Sequence, residues 1–264
     1  MIPDPGYEKT SEHALDEARF DQPPFASAAA RRTYVICTTP RSGSWLLCRQ
    51  LVNAGIGVPS EYLNAVHLAV LSGRWGVDPR DTRAFLEALR AHRTTPNGAC
   101  GIKLLWYQYA ERRAALRTRL LAGARLVYLY RDDVVAQTVS LHLSEITGVW
   151  DFTGELATVP RTDIAWGDPA HLAECERVIR QQNRWWIELF ASLRQEPLAI
   201  RYEDFVADPP AGVRRLAEDL GIPPGAFRTP PPEPRELSFP PEVESTRREL
   251  VERWRLMRGA GERS

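Results

Sequence analysis

Apolar and polar positions along the chain fall into two alternating periods. Four short runs are almost wholly apolar, β-branched or aromatic: Tyr34 to Thr39, Cys100 to Trp106, Arg125 to Tyr130 and Pro197 to Tyr202. Such runs suit strands buried on both faces of a parallel sheet. Between them the apolar spacing turns helical. Trp45-Leu46-Leu47 and Leu51-Val52 lead to a stop at Gly55, and Asp78 to Arg93 reads as a helix with Asp78 as N-cap and Pro79 at the first position. An arginine-rich amphipathic helix is predicted over 108–121, and another follows Asp132-Asp133 to about Thr147. A long helix covers Pro169 to Leu193, a final core helix ends near Gly221, and a charged helix runs from Glu242 to Met257. A short, mostly apolar helix follows the loop that ends at Asn64. Strands alternating with helices predict an α/β fold, a parallel sheet with helices on both faces.

The remaining segments lack either period. Residues 1–31 read as an N-terminal arm or tail and 32–264 as a single α/β domain. The stretch from Trp150 to Trp166 reads as a lid or substrate loop, and 223–241 as a proline-dense extended run.

Composition narrows the function classes. The 264 residues suffice for a sizeable core, and the formal charge of +0 gives no global basic footprint for nucleic acid or an anionic membrane. No apolar run reaches membrane-spanning length, and the beginning of the chain is polar and acidic rather than signal-like. Cys37, Cys48, Cys100 and Cys175 have no paired metal-site spacing, so no metal is expected and they read as reduced thiols of a cytoplasmic protein. Lysine occurs only at positions 9 and 103 among many arginines. Lys103 lies in an apolar strand, where an unpaired ammonium would be expensive, so it should reach an anion: a bound substrate or a carboxylate.

The richest chemistry lies where the first strand breaks, at Pro40-Arg41-Ser42-Gly43-Ser44, before the helix that opens with Trp45. A helix start offers unpaired N–H groups and the positive end of its dipole, and Gly43 permits close backbone approach to an anion. Ser42 and Ser44 add hydroxyls, and Arg41 adds a bidentate cation. The turn lacks the first glycine and the lysine of a G-x-x-x-x-G-K-[ST] loop. It is not a Cys-x5-Arg cradle either, because Cys37 stands only four positions before Arg41. In a parallel sheet this turn shares the carboxyl edge with Arg131 and with the Tyr202-Glu203-Asp204 corner, the edge where ligands bind.

In this order the three signals resemble the sulfotransferases that use 3′-phosphoadenosine 5′-phosphosulfate (PAPS), with the strongest likeness to the bacterial trehalose 2-sulfotransferase-like group. The supporting residues are Arg41-Ser-Gly-Ser44, Pro59-Ser-Glu61-Tyr62, Thr95-Pro-Asn-Gly98, Lys103-Leu-Leu-Trp106 and Arg131-Asp-Asp-Val-Val-Ala-Gln137 through Ser140. The resemblance implies a P-loop-like sheet with PAPS as co-substrate. Pro40, Arg41, Ser42, Gly43, Ser44 and Trp45 would hold the 5′-phosphosulfate, and Arg131 with Ser140 the 3′-phosphate. Glu61 aligns with the family's catalytic glutamate, and Arg41 is the cation best placed for the leaving group. Lys103 and Trp106 are candidates for substrate contact. Trp45 departs from the group, which has a threonine there. The acceptor implied is a hydroxyl of a sugar or glycosylated small metabolite, with no nucleic acid partner and a homodimer left open. His142 and His67 are rival bases, and Trp185-Trp186 reads as core packing for at least one ring. Two alternatives stay open: a nucleotide kinase-like P-loop enzyme and a non-catalytic nucleotide-binding protein.

Overall fold

A computed structural model describes residues 18–23, 31–148, 150, 167–230 and 241–261. All but Trp150 of the loop expected from Trp150 to Trp166 and most of the arm at 1–31 lie outside the described residues, as does 231–240 of the proline-dense run.

Four strands form one parallel sheet in the order β2-β1-β3-β4. They are β1 (Arg32–Thr38), β2 (Ala99–Leu105), β3 (Arg125–Tyr130) and β4 (Leu198–Arg201). The alternation of side chains along β1 divides the core in two. Val35 and Cys37 point into one cluster with Ile102, Leu104, Leu126 and Trp186. Tyr34 and Ile36 point into the other, with Leu47, Leu51, Val127, Leu129, Ile200 and Val213. The first face is covered by α2 (Ala65–Trp75), α3 (Thr82–Arg93), α4 (Trp106–Glu111), α5 (Arg113–Arg119) and α7 (Pro169–Leu193). The second is covered by α1 (Ser44–Ala54), α8 (Tyr202–Ala207) and α9 (Pro209–Asp219). Helix α6 (Val134–Thr147) leaves β3, and α10 (Pro241–Gly261) packs on it through Leu250, Val251 and Trp254.

The sequence expectations for the four strands hold to within a residue or two. Three helix boundaries differ. Asp78 is not the cap of α3: its carboxylate accepts from the backbone N–H of Arg80 in a tight turn, and Asp81 caps the helix through Arg83 and Ala84. The helix expected over 108–121 is two, because Arg112 at φ −125° leaves helical geometry. The segment from Glu203 to Pro209, expected as a turn into the helix before Gly221, mostly forms the short helix α8, and Asp208 closes it and caps α9 through the Ala211 N–H. The arm is not wholly a tail, for Phe20 is buried against Val52, Val58 and Trp45.

Candidate active site

In the order β2-β1-β3-β4 the chain moves from β1 one way to β2 and then back past β1 to β3, so the crevice of the sheet opens beyond the carboxyl ends of β1 and β3. The turn from β1 into α1 fills this place. Arg41 sits at φ 61° and Gly43 at φ 84°, a left-handed pair that folds the backbone sharply under the helix start. Gly43, as N-cap, supplies no side chain to the first N–H groups of α1. A Cβ on Gly43 would lie 2.3 Å from the Tyr202 ring, so only glycine fits. The same ring carries Arg131, whose guanidinium carbon stands 4.6 Å from its centroid. Tyr202 therefore links the cradle of β1 to the cation of β3.

Arg131 is largely buried, and its burial pulls the guanidinium pKa down from the usual value, a shift that Tyr202, Asp133 and Glu203 oppose. Its Nε–H is buried with no hydrogen-bond partner, and Glu203 is 4.0 Å away. The Glu203 carboxylate instead accepts from the backbone N–H groups of Asp132 and Asp133, at 3.3 and 3.1 Å, and so ties the β3 corner to the β4 corner. A buried donor left over is unusual in proteins and invites an anion.

Sequence reasoning placed Arg41 and Ser140 in the same site, and the structure joins them: Arg41 Nε donates to Ser140 Oγ at 2.9 Å, and its NH1 donates to the Trp150 carbonyl. Gln137, one turn before Ser140, closes the Arg131 to Gln137 motif and has a role of its own. Its Nε2 donates to Thr39 Oγ1 at 2.9 Å and to the Pro40 carbonyl at 2.6 Å, bolting the turn to α6. The signal for it was present: positions 137 and 140 share one helix face. Ser42 is placed differently from expectation. Its hydroxyl is fully buried at 2.6 Å from Thr38 Oγ1, which itself donates to the Leu129 carbonyl, so Ser42 braces the turn rather than offering its hydroxyl outward. Ser44 is buried at the helix start. Trp45 packs on Phe20, Val52 and Val58 and on the core cluster that α1 covers.

One strand over, Thr38 pairs with Leu105, so the residues after β2 emerge beside the cradle. Here Lys103 finds its anion. Its ammonium lies 2.7 Å from Glu61 Oε1, with side chains 5% and 12% exposed. Gln108 Nε2 holds the other carboxylate oxygen at 2.9 Å while Gln108 Oε1 accepts from the Leu105 N–H. Glu61 is thus not a helix cap; that role belongs to Asn64, which accepts from the Val66 N–H. Tyr107 touches the same group through Gln108, and burial next to Glu61 raises its phenol pKa. Trp106 stacks on Trp185 at 5.3 Å between centroids and meets the edge of Trp186. Trp186 is core: fully buried, it donates to the Thr38 carbonyl at 2.9 Å. Trp185 stays 38% exposed.

The rival histidines fare poorly as bases. His142 is buried, and burial together with His171 pushes its pKa down to about 4. Both its nitrogens are engaged, one by the Gly167 N–H and one by His171. His67 is buried on α2. All four cysteines are buried free thiols. Among the described residues no helix is long and apolar enough to cross a membrane.

The chain is 31% identical over 211 residues to the trehalose 2-sulfotransferase of Mycobacterium tuberculosis, an alignment covering 66% of this chain and 78% of that protein. It is 26% identical over 207 residues to the enzyme of the same name from Mycolicibacterium smegmatis, covering 64% and 76%. A solved sulfotransferase from Alicyclobacillus acidocaldarius superposes with a TM-score of 0.48 at 16% identity, over 86% of this chain and 96% of the other. The Stf0 sulphotransferase family model matches residues 33–256, which takes in the cradle, Glu61, Arg131 and Ser140 together, and the chain belongs to that family.

Proposed function

We propose that the protein transfers a sulfuryl group from PAPS to a hydroxyl of a carbohydrate or glycosylated small-metabolite acceptor, with Glu61 as general base. The observation that carries this reading is the fixed carboxylate of Glu61, gripped by Lys103 and Gln108 at the strand end next to an anion cradle. The residues fit the donor: a bare glycine turn at a helix start and a buried Arg131 Nε–H without an acceptor both ask for phosphate. When bound, PAPS supplies an activated sulfonate on a phosphate leaving group. The backbone of Pro40 to Trp45 would hold its 5′ end, and Arg131 with Ser140 its 3′-phosphate.

Sulfuryl transfer resembles phosphoryl transfer in depending on positioning and electrostatics more than on covalent chemistry by the protein. Glu61 accepts the proton of the attacking hydroxyl. Holding both carboxylate oxygens confines the base to one orientation, which the transition state then does not need to impose. Arg41 offers charge to the leaving phosphate, and its bond to Ser140 links the two ends of the donor site. The name of the two mycobacterial relatives makes trehalose the first acceptor to try. The buried thiols suit work in the reducing cytoplasm; light scattering decides between monomer and homodimer.

The test is sulfate transfer from labelled donor into trehalose and a panel of other sugars, read by mass. Glu61→Gln should bind 3′-phosphoadenosine 5′-phosphate (PAP) normally and lose ~10²–10⁴-fold in turnover. Turnover within a few-fold of the parent removes Glu61 as base. Stronger thermal stabilisation by ATP or GTP than by PAP, measured without magnesium, would favour a nucleotide kinase instead.

A further inference from the structure

We propose that helices α6 and α7 carry a site for a transition-metal dication of the zinc class, with Glu145, His171 and Cys175 as ligands and His142 behind them. The residues come in two helical pairs. His142 and Glu145 are three apart on α6, and His171 and Cys175 four apart on α7, so each pair shares a face. The helices pack so that one ligand atom from each of Glu145, His171 and Cys175 lies within 4.8 Å of the other two. The closest approach is His171 Nε2 to Glu145 Oε2, at 2.8 Å.

The surroundings grade from dry to wet as a three-ligand metal site requires. Cys175 forms the floor, buried with Leu141 and Ile179. His171 and Glu145 form the mouth, with side chains 17% and 34% exposed, which leaves a fourth position for water. A dication bound here displaces the Cys175 thiol proton, since a coordinating thiol is deprotonated outright. Thiolate, imidazole and carboxylate together favour zinc or cobalt over the oxygen-seeking magnesium and calcium. Pairing cysteines by spacing could not find this site, because its one cysteine works with a histidine of its own helix and a glutamate of another.

The protons can be followed. Gly167 N–H donates to His142 Nε2, so the neutral His142 ring carries its proton on Nδ1 and donates it to His171 Nδ1, 2.7 Å away. His171 then holds its proton on Nε2, facing Glu145. A cation at His171 Nε2 shifts the His171 proton to Nδ1, which then donates to His142 Nδ1; the His142 proton moves to Nε2, so the Gly167 N–H loses its acceptor there and must turn away. The Cys175 thiol proton is the one released to solvent. The orienting of a ligand histidine by a second polar group is the usual support for such a site.

Cobalt(II) titration of the full chain, untagged and stripped with chelator, tests this by absorption. A saturable sulfur-to-cobalt charge-transfer band at one cobalt per chain, bleached by zinc, is expected. Cys175→Ala should abolish the band, and Glu145→Gln, at the exposed rim where folding is least disturbed, should weaken binding by about tenfold or more. No saturable band, or a band that survives Cys175→Ala, overturns the proposal. The readout is independent of sulfuryl transfer, so a failure here leaves the proposed reaction standing, and the reverse.

Discussion

Replacing Lys103 with methionine keeps the apolar stem that fills β2 and removes only the ammonium 2.7 Å from Glu61. At that separation and an effective dielectric of about 20, the attraction is ~6 kcal/mol before desolvation is counted. Desolvation cancels much of this in the intact pair, but removing one partner leaves the other charge buried. Breaking such pairs costs about 3–5 kcal/mol. For a chain of this size that is a fall of roughly 6–20 °C in melting temperature. Glu61→Gln should lose stability too, because Lys103 then faces an amide rather than a carboxylate. The assay is a double-mutant cycle by urea unfolding over Lys103→Met, Glu61→Gln and the pair. The double variant should be less destabilised than the two singles added together, with a coupling of about 1.5–3 kcal/mol. A coupling below ~0.5 kcal/mol, or a Lys103→Met melting point within about 2 °C of the parent, would refute the buried pair and with it the fixed orientation of Glu61.

Arg131→Ala should weaken PAP binding by about 1.5–3 kcal/mol, the loss of one charge-assisted contact, as read by calorimetry; unchanged affinity would remove Arg131 from the phosphate site. Gly43→Ala places a methyl 2.3 Å from the Tyr202 ring at φ 84°, and should abolish measurable PAP binding while Gly76→Ala, at φ 67° with nothing within 4 Å, costs only ~1 kcal/mol of stability. Equal effects of the two would show that strain, not the Tyr202 contact, sets the need for glycine. Trp45→Thr should lower stability by about 2–4 kcal/mol through lost packing on Phe20, Val52 and Val58, yet leave PAP affinity within a few-fold.

The strands were legible because each is a dense apolar run whose edges coincide with polar or turn residues; Arg125 to Tyr130 matches β3 residue for residue. Local chemistry misled where two answers were chemically alike. Asp78 and Asp81 are both good caps, and only the fold decides that Asp78 closes a turn while Asp81 starts α3. No glycine or proline announces the break at Arg112. At the site, the anion-binding turn could be read because it is contiguous. The Lys103–Glu61 pair and the Gly43–Tyr202–Arg131 stack could not, since each joins residues from separate elements and no period in the chain encodes such a meeting. Sequence chemistry demanded an anion for Lys103 without naming it.

The strand order has a consequence for how the chain reaches this state. β1 is central, yet it comes first in the chain among the four described strands: residue 32 waits for residue 99 before one edge is covered, and residue 34 waits for residue 125 before the other is. During that interval Tyr34-Val-Ile-Cys37 is an unpaired, uncharged, β-prone ribbon, the kind of segment that templates intermolecular pairing. Pairings between residues so distant in the chain also form slowly. Refolding from denaturant should therefore be a race between sheet closure, whose rate is independent of concentration, and association of β1 edges, whose rate is not; the yield of native protein should fall steeply as the chain is concentrated.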